Sequence, residues 1–170
     1  MSRGLGDVYK RQAVLKDTRR DNLANITITC TDNIKSRIDL WNLLRALPQP
    51  TYCTYETPLY WMDFGNTQTT GQVVLGTVPK KIKQPVSTMY ETVGSLKVIT
   101  RFVKYARVKE VDSGPSCSLA EALEKQDLFI NSTLAQLGCN ILWKMFRHGM
   151  IEHHGLFLNL ETMKVNPIGV

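Results

Sequence analysis

The fold is decided by the stretch ITITCTDNIKSRIDLWNLLRALP, residues 26–48. Its first five residues are rich in β-branched side chains and predict a short strand. Thr31-Asp32-Asn33 then supplies residues that favour the start of a helix. Apolar residues recur at helical spacing from Ile34 onwards until Pro48 ends the run. The stretch therefore predicts a strand, a polar turn and an amphipathic helix, which is how an α/β fold begins.

The middle of the chain predicts a β-hairpin. Residues 59–64 and 71–78 have strand composition, and Gly65-Asn66 begins the turn between them. Residues 86–93 predict a short helix. Residues 95–108 fit a helix by the spacing of their apolar side chains and a strand by their β-branched content.

The C-terminal third predicts a long helix and a closing hairpin. The capping-box pair Ser118 and Glu121 begins the helix, which runs to Arg147 and ends at Gly149. Its apolar side is expected to carry Leu128, Leu134, Leu137, Ile141, Leu142, Met145 and Phe146. The closing hairpin comprises residues 156–160 and 163–166. The predicted fold class is α/β, with a mixed sheet that includes antiparallel strands.

Composition bounds the class of protein. The chain has 170 residues, 43% of them hydrophobic and 21% charged, which suits one globular domain and excludes a disordered chain, a collagen-like fibre and a coiled coil. No apolar run reaches the roughly 20 residues of a transmembrane helix, and the N-terminus has no signal-peptide core. A cytoplasmic protein with reduced thiols is expected. Cys30 and Cys139 are expected in the core, and the absence of C-x-x-C argues against structural zinc.

The net charge of +6 is concentrated in one segment. Residues 80–110 contain eight Lys or Arg against two Glu, with Tyr90, Phe102 and Tyr105 interleaved. This resembles the grooves that bind single-stranded nucleic acid. A solvated face or a docking surface for an acidic partner is the competing interpretation. It is favoured because the chain has no helix-turn-helix, RNP or zinc-finger pattern.

Two short segments carry candidate chemistry. Asp32 and Asn33 follow a predicted strand, where a carboxylate can hold Mg²⁺ beside nucleotide phosphates, or where both residues can simply cap a helix. Cys117 precedes a predicted helix, whose dipole favours a thiolate, although an inert, partly buried cysteine is more common at such a position. The histidines lack a third metal ligand at a recognisable spacing and are expected at a surface turn: His148, His153 and His154.

These segments together resemble one family. Residues 28–37, ITCTDNIKSR, are similar to the D-x-T-D-N-x-x-x-R segment of ThiF, MoeB and ubiquitin-activating proteins. Gly71-Gln72 resembles their G-Q-[VIL] strand, and residues 115–119, PSCSL, resemble their P-x-C-[TS]-L loop. The closest resemblance is to ThiF-family proteins of the bacterial PRTRC cassette, through residues 61–76 and 115–131. It covers about residues 26–170.

The resemblance implies a Rossmann-like ThiF-type domain that adenylates the C-terminal glycine of a ubiquitin-like or sulfur-carrier-like protein with ATP and Mg²⁺. Asp32 would hold Mg²⁺ and ATP, and Asn33 would line the nucleotide site. Gly71 and Gln72 would shape the sheet where the substrate binds, and Cys117 would be the thioester nucleophile. No zinc is expected, as in the PRTRC type. The family is commonly dimeric, so a homodimer is also implied.

The chain departs from the family pattern in two places. The glycine-rich nucleotide loop of the family precedes the Asp-Asn segment and is not found here, and Thr29 stands where the family has Asp. Residues 1–12 resemble a peptide produced when sequencing-adapter DNA is translated, so they are left out of the fold. Residues 13–170 are therefore expected to be the C-terminal portion of a ThiF-type domain that binds ATP poorly alone.

Two other functions stay open. The first is a non-catalytic module of the same fold that binds a ubiquitin-like protein or a partner subunit. The second is a DNA-associated basic protein of a mobile-element cassette, suggested by the basic segment. Arg37 matches a family position, but the sequence assigns it no role.

Overall fold

The computed structural model describes residues 24–31, 33–47, 54, 57–82, 86, 89–105 and 126–170. The elements in chain order are β1 (Ile26–Thr29), α1 (Ile34–Ala46), β2 (Tyr60–Asn66), β3 (Thr70–Thr77), α2 (Ile99–Phe102), α3 (Ile130–His148), β4 (His153–Asn159) and β5 (Lys164–Gly169). Within those ranges, none of the helices combines the length and apolar character needed to cross a bilayer.

The five strands form one mixed sheet in the order β1-β2-β3-β4-β5. β1 and β2 are parallel, and α1 lies between them in the chain. The other three pairs are antiparallel. The α/β class, the central hairpin and the closing hairpin predicted from the sequence are confirmed. The parallel pair brings the carboxyl ends of β1 and β2 to the same edge of the sheet.

The core has two parts, because both faces of the sheet are covered. Trp61 and Met62 are adjacent in β2 and point to opposite faces, as strand geometry requires. The α1 side buries Leu40, Leu44, Trp61, Val74, Val78, Val98 and Ile99. The α3 side buries Met62, Val73, Leu75, Ile130, Leu134, Ile141, Leu156 and Leu158. Burial on both faces explains why the central strands are nearly continuous apolar runs rather than alternating ones.

Glycines set how closely α3 approaches the sheet and where it ends. A Cβ on Gly138 would collide with the ring of Phe64, so this helix position requires glycine, which has no side chain. Gly149 has a left-handed backbone (φ 71°), and its N–H donates to the carbonyl of Met145 at 2.8 Å. Only glycine adopts this conformation without a steric cost, so the predicted helix end is confirmed.

The start predicted for the long helix is wrong where the structure describes it. Residues 126–129 form a bend and a turn, and α3 begins at Ile130. The carboxylate of Asp127 accepts the N–H of Phe129 at 2.9 Å, a local bond that competes with helix formation. Ser118 and Glu121 lie outside the described residues. Leu128 and Phe146 are 65% and 68% exposed, contrary to their expected places on the apolar side.

Three further expectations are corrected. The short helix predicted at 86–93 is not formed by the described residues of that segment, 86 and 89–93. The N–H of Ile82 donates to the carbonyl of Gly94 at 2.8 Å. Cys30 and Cys139 are exposed rather than buried. Strand alternation turns Thr29 inwards and Cys30 outwards, while Cys139 lies on the far side of α3 from the sheet. In the described part of the segment that fitted either structure, residues 95–105, the α-helix is Ile99–Phe102.

Candidate functional site

Asn33 occupies the carboxyl end of β1 as the N-cap of α1. Its backbone is extended (φ −121°, ψ 150°), and its side-chain oxygen accepts the N–H of Ser36 at 2.7 Å. This confirms the helix-cap interpretation for Asn33, which is exposed to solvent. Asp32 lies outside the described residues. Whatever else Asn33 does, it fixes where α1 begins.

A buried ion pair connects α1 to the end of β2. Nε of Arg37 lies 3.0 and 3.2 Å from the two carboxylate oxygens of Asp63, and its Nη2 donates to the carbonyl of Phe64 at 2.9 Å. The residues are 7% and 1% exposed. A buried charge is costly unless it is paired and hydrogen-bonded, so this pair holds the first turns of α1 against the sheet.

A chain of hydrogen bonds continues from Asp63 across the parallel strands. The indole N–H of Trp61 donates to the hydroxyl oxygen of Thr29 at 2.8 Å. That hydroxyl in turn donates to Asp63 at 2.7 Å. Thr29 and Asp63 are register partners of β1 and β2.

Burial and the nearby charge shift the pKa of Asp63 in opposite directions. Burial raises the pKa of this carboxyl, whereas the charge of Arg37 and the donated hydrogen bonds lower it. Burial also raises the pKa of Tyr105 to about 12, and the nearby Asp63 charge adds to the effect. The hydroxyls of Tyr105 and Thr31 are buried and have no hydrogen-bond partner among the described residues. Tyr105 therefore stays protonated at neutral pH and keeps a donor beside the ion pair.

Gln72 reaches the same place from β3. Gly65 pairs with Gln72 across β2 and β3. A Cβ on Gly65 would collide with the amide nitrogen of Gln72 and lie 2.8 Å from Nη2 of Arg37. Both long side chains therefore converge over Gly65. Gly71 faces α3, because a Cβ there would collide with the side chain of Leu134. The structure thus brings Gln72 to Arg37 and turns Gly71 to the opposite face.

The structure describes some of the predicted site residues and not others. Cys117 and its flanking loop lie outside the described residues, as does Asp32. Among the residues that are described, no three His, Cys, Asp or Glu side chains lie close enough together to hold a metal ion. The interpretation of the histidines as surface groups is wrong for His154, which is 3% exposed on β4. His148 and His153 are exposed.

His154 predicts a pH-dependent stability. Burial lowers the pKa of His154 below its ordinary value, although the Leu75 carbonyl, 2.7 Å from Nδ1, acts against this shift. The unfolded chain therefore binds the proton more readily, so His154 costs stability as the pH falls below about 6.5. Urea unfolding at pH 7.5 and pH 5.0 is expected to show a smaller acid loss for His154→Asn than for wild type. His153→Asn, an exposed control, is expected to retain the wild-type loss.

The chain matches no protein-family model, and searches of curated proteins and of solved structures also found no match. Support for a function therefore comes from the motifs at 28–37, 71–72 and 115–119 and from the geometry around Asp63.

Proposed function

We propose that this chain is the C-terminal part of a ThiF-type adenylyltransferase, which activates the C-terminal carboxylate of a ubiquitin-like or sulfur-carrier-like protein with ATP. The observation that carries the proposal is the parallel β1-α1-β2 unit, with the Thr31-Asp32-Asn33 segment after β1. In α/β sheets, ligands bind outside the carboxyl ends of parallel strands. The segment that resembles the nucleotide motif of the family follows β1 at that edge.

A second observation supports the same site. Gln72 belongs to another segment with family resemblance, and its side chain meets Arg37 of the first segment over Gly65. Arg37, which ends the first segment, and Gly71, which begins the second, are 34 positions apart in the sequence. A shared ligand site explains why both resemble the same family, because each would line the place where the adenylate forms.

The reaction forms one bond and breaks another. An oxygen of the partner's C-terminal carboxylate attacks the α-phosphorus of ATP, the bond from that phosphorus to the β-phosphate oxygen breaks, and pyrophosphate leaves. Asp32 would hold Mg²⁺, which lowers the charge repulsion between the carboxylate and the phosphates. The N-terminus of α1, at Asn33, would present the positive end of the helix dipole to a phosphate bound at this edge.

Asp63 acts in this proposal as a positioning residue. It is buried and holds Arg37, through which the first turns of α1 are fixed to β2. Small displacements of positioned groups reduce catalysis strongly. Cys117 is the proposed nucleophile of a second step, in which its thiolate attacks the acyl carbon and AMP leaves to form a thioester.

The test is ATP–pyrophosphate exchange by this protein, expressed as its genome encodes it, with small proteins from the same genome that end in Gly-Gly. Asp32→Ala is expected to abolish exchange. Asp39→Ala, which removes the carboxylate paired with Lys35 on the outside of α1, is the matched control and is expected to keep it. Unchanged exchange in Asp32→Ala would refute the role of Asp32. Cys117→Ser is expected to keep exchange and lose the thioester.

The other functions make different predictions in the same experiment. Tight binding of the small protein with no exchange would favour a non-catalytic module. Binding of DNA that weakens steeply with salt, again with no exchange, would favour the DNA-associated protein.

A further inference from the structure

Five exposed cationic side chains follow β3 in the chain and are termed the basic surface: Lys80, Lys81, Lys97, Arg101 and Lys104. Among the residues that the structure describes, the ion pairs are those of Lys35 with Asp39 and of Arg37 with Asp63, and neither involves the basic surface. Glu91 is the one acidic residue between positions 78 and 105 of the sequence. The basic surface therefore presents an excess of positive charge to the solvent.

Backbone hydrogen bonds hold the two ends of the loop after β3 side by side. The N–H of Thr77 donates to the carbonyl of Leu96 at 3.1 Å, and the N–H of Leu96 donates to the hydroxyl of Thr77 at 3.1 Å. The N–H of Ile82 donates to the carbonyl of Gly94 at 2.8 Å. The two lysines that precede Ile82 are therefore held close to Lys97, so the fold itself gathers these charges.

Helix α2 continues the basic surface beyond the loop. Ile99 is 1% exposed in the core on the α1 side, and Phe102 packs against the same core. Arg101 lies between them in the sequence and is exposed, as are the lysines just before and just after the helix. The apolar side chains of α2 thus anchor it to the core while its cations stay in the solvent.

Large apolar side chains are exposed in the same loop. Val86, Met89 and Tyr90 are 100%, 75% and 58% exposed and are termed the apolar tip. Single exposed apolar residues are ordinary on protein surfaces, whereas a group of them marks an interaction site. Methionine also adapts its shape to different partners. A ligand of this loop is therefore expected to combine negative charges with apolar groups.

The structure argues against nucleic acid as that ligand. Of the three aromatic residues interleaved with the cations, Phe102 and Tyr105 pack against the core on the α1 side, and Tyr90 is the exposed ring. Proteins that bind single strands use several exposed rings on which successive bases stack. Helix α2 has four residues and is too short to read the major groove of a duplex. An acidic protein segment supplies both carboxylates and apolar side chains.

We propose that the basic surface and the apolar tip together form a docking site for a partner protein, through a segment of that partner in which Asp or Glu residues alternate with apolar ones. The carboxylates of this segment pair with the exposed lysine and arginine side chains, and its apolar groups cover Val86 and Met89. Electrostatic complementarity of this kind speeds association and gives specificity.

The docking site lies at the opposite end of the strands from the candidate functional site. Thr77, from which the loop departs, pairs with Tyr60, the first residue of β2. Asp63 lies further along β2, about 10 Å away, and Asn33 lies at the edge where β1 ends. The docking site therefore does not rest on the proposed adenylyltransferase activity, and each of the two proposals is tested by its own measurement.

Fluorescence anisotropy with the full chain tests the docking site. The probe is a fluorescein-labelled peptide built from repeats of Glu-Glu-Leu. It is expected to bind with a dissociation constant of about 10 µM at about 50 mM salt, and about tenfold more weakly at about 0.3 M salt, because salt screens exposed charges. A peptide of Gln-Gln-Leu repeats is expected not to bind. A peptide of Glu-Glu-Ser repeats is expected to bind about fivefold more weakly than the probe.

Paired charge reversals distinguish this site from general attraction to a basic protein. Lys97→Glu combined with Arg101→Glu is expected to raise the dissociation constant of the Glu-Glu-Leu peptide about thirtyfold. Lys144→Glu combined with Lys164→Glu changes the net charge equally at exposed positions of α3 and β5, and is expected to raise it less than about threefold. Circular dichroism checks that both variants are folded.

A further pair of substitutions tests the apolar tip. Val86→Ser combined with Met89→Ser is expected to weaken binding of the Glu-Glu-Leu peptide about fivefold and to leave binding of the Glu-Glu-Ser peptide unchanged, because only the first has apolar groups that contact the tip. Equal weakening of both peptides would remove the apolar tip from the docking site.

Three results would overturn the docking proposal. One is a Glu-Glu-Leu peptide that does not bind to the chain at about 200 µM, well above the expected dissociation constant. The second is an equal loss of binding from the two charge-reversal pairs, which would indicate nonspecific attraction. The third is a single-stranded DNA of the same net charge that binds more tightly than the peptide and loses its affinity when Lys97 and Arg101 are reversed, which would assign the surface to nucleic acid.

Discussion

Asp63→Ala is expected to lower the free energy of unfolding by about 3–5 kcal/mol. The substitution removes the carboxylate that contacts Nε of Arg37 at 3.0 and 3.2 Å and leaves a guanidinium buried without its counter-charge. It also removes the acceptor of the Thr29 hydroxyl. Urea unfolding followed by circular dichroism, at pH 7 and fixed ionic strength, measures the change.

The control for Asp63→Ala is the exposed ion pair of α1. Lys35 and Asp39 lie one turn apart, with 82% and 31% of their side chains exposed. Asp39→Ala is expected to cost less than about 1 kcal/mol, because water solvates both ends of this pair. If the two aspartate variants unfold at the same urea concentration, the buried pair does not stabilise the fold as described. Adding Arg37→Met to an Asp63→Leu variant is expected to recover much of the stability that the aspartate substitution removes, because the unpaired buried charge is then gone.

Trp61→Ala is expected to cost about 3–5 kcal/mol. Trp61 is 1% exposed, stacks on Trp41 with ring centroids 5.8 Å apart, and donates to Thr29. Its removal leaves a cavity in the core on the α1 side and frees the Thr29 hydroxyl from its donor. The same urea measurement applies.

Two variants separate packing from hydrogen bonding at Trp61. Trp61→Phe keeps most of the ring and loses the indole N–H, so about 1 kcal/mol of the loss is expected from the hydrogen bond. Tyr90→Ala, at a site that is 58% exposed, is expected to change stability by less than about 0.5 kcal/mol. A Trp61→Ala protein as stable as Tyr90→Ala would contradict the burial of Trp61.

Local sequence patterns predicted most of the elements. The β-branched run of β1, the Asn33 cap and the apolar spacing of α1 are short-range signals, and each element formed where its pattern indicated. The same is true of the strands of the two hairpins, although Gly65 and Asn66, which were predicted to begin the central turn, are the last residues of β2. Their strands have high β content and are separated by residues that favour turns.

Long-range pairing was what the sequence could not reveal. Asp63 is an acidic residue inside an otherwise apolar strand, which signals a buried partner but does not identify Arg37, 26 positions away. Phe146 and Leu128 fitted the apolar periodicity of α3. Phe146 is exposed because it lies on the side of α3 away from the sheet, and Leu128 is exposed in the turn before α3. Periodicity alone does not say which face of a helix meets the sheet. His154 is buried by its place on β4, which depends on the pairing of β4 with β3.

The most direct test of the adenylyltransferase proposal is the identity of the product. The intact gene product is incubated with Mg²⁺, ATP, inorganic pyrophosphatase and a small protein ending in Gly-Gly, and the intact mass of that small protein is measured. The proposal predicts an added AMP that hydroxylamine removes and that Asp32→Ala fails to form. A small protein that binds tightly yet gains no AMP, while ATP stays unconsumed, would contradict it.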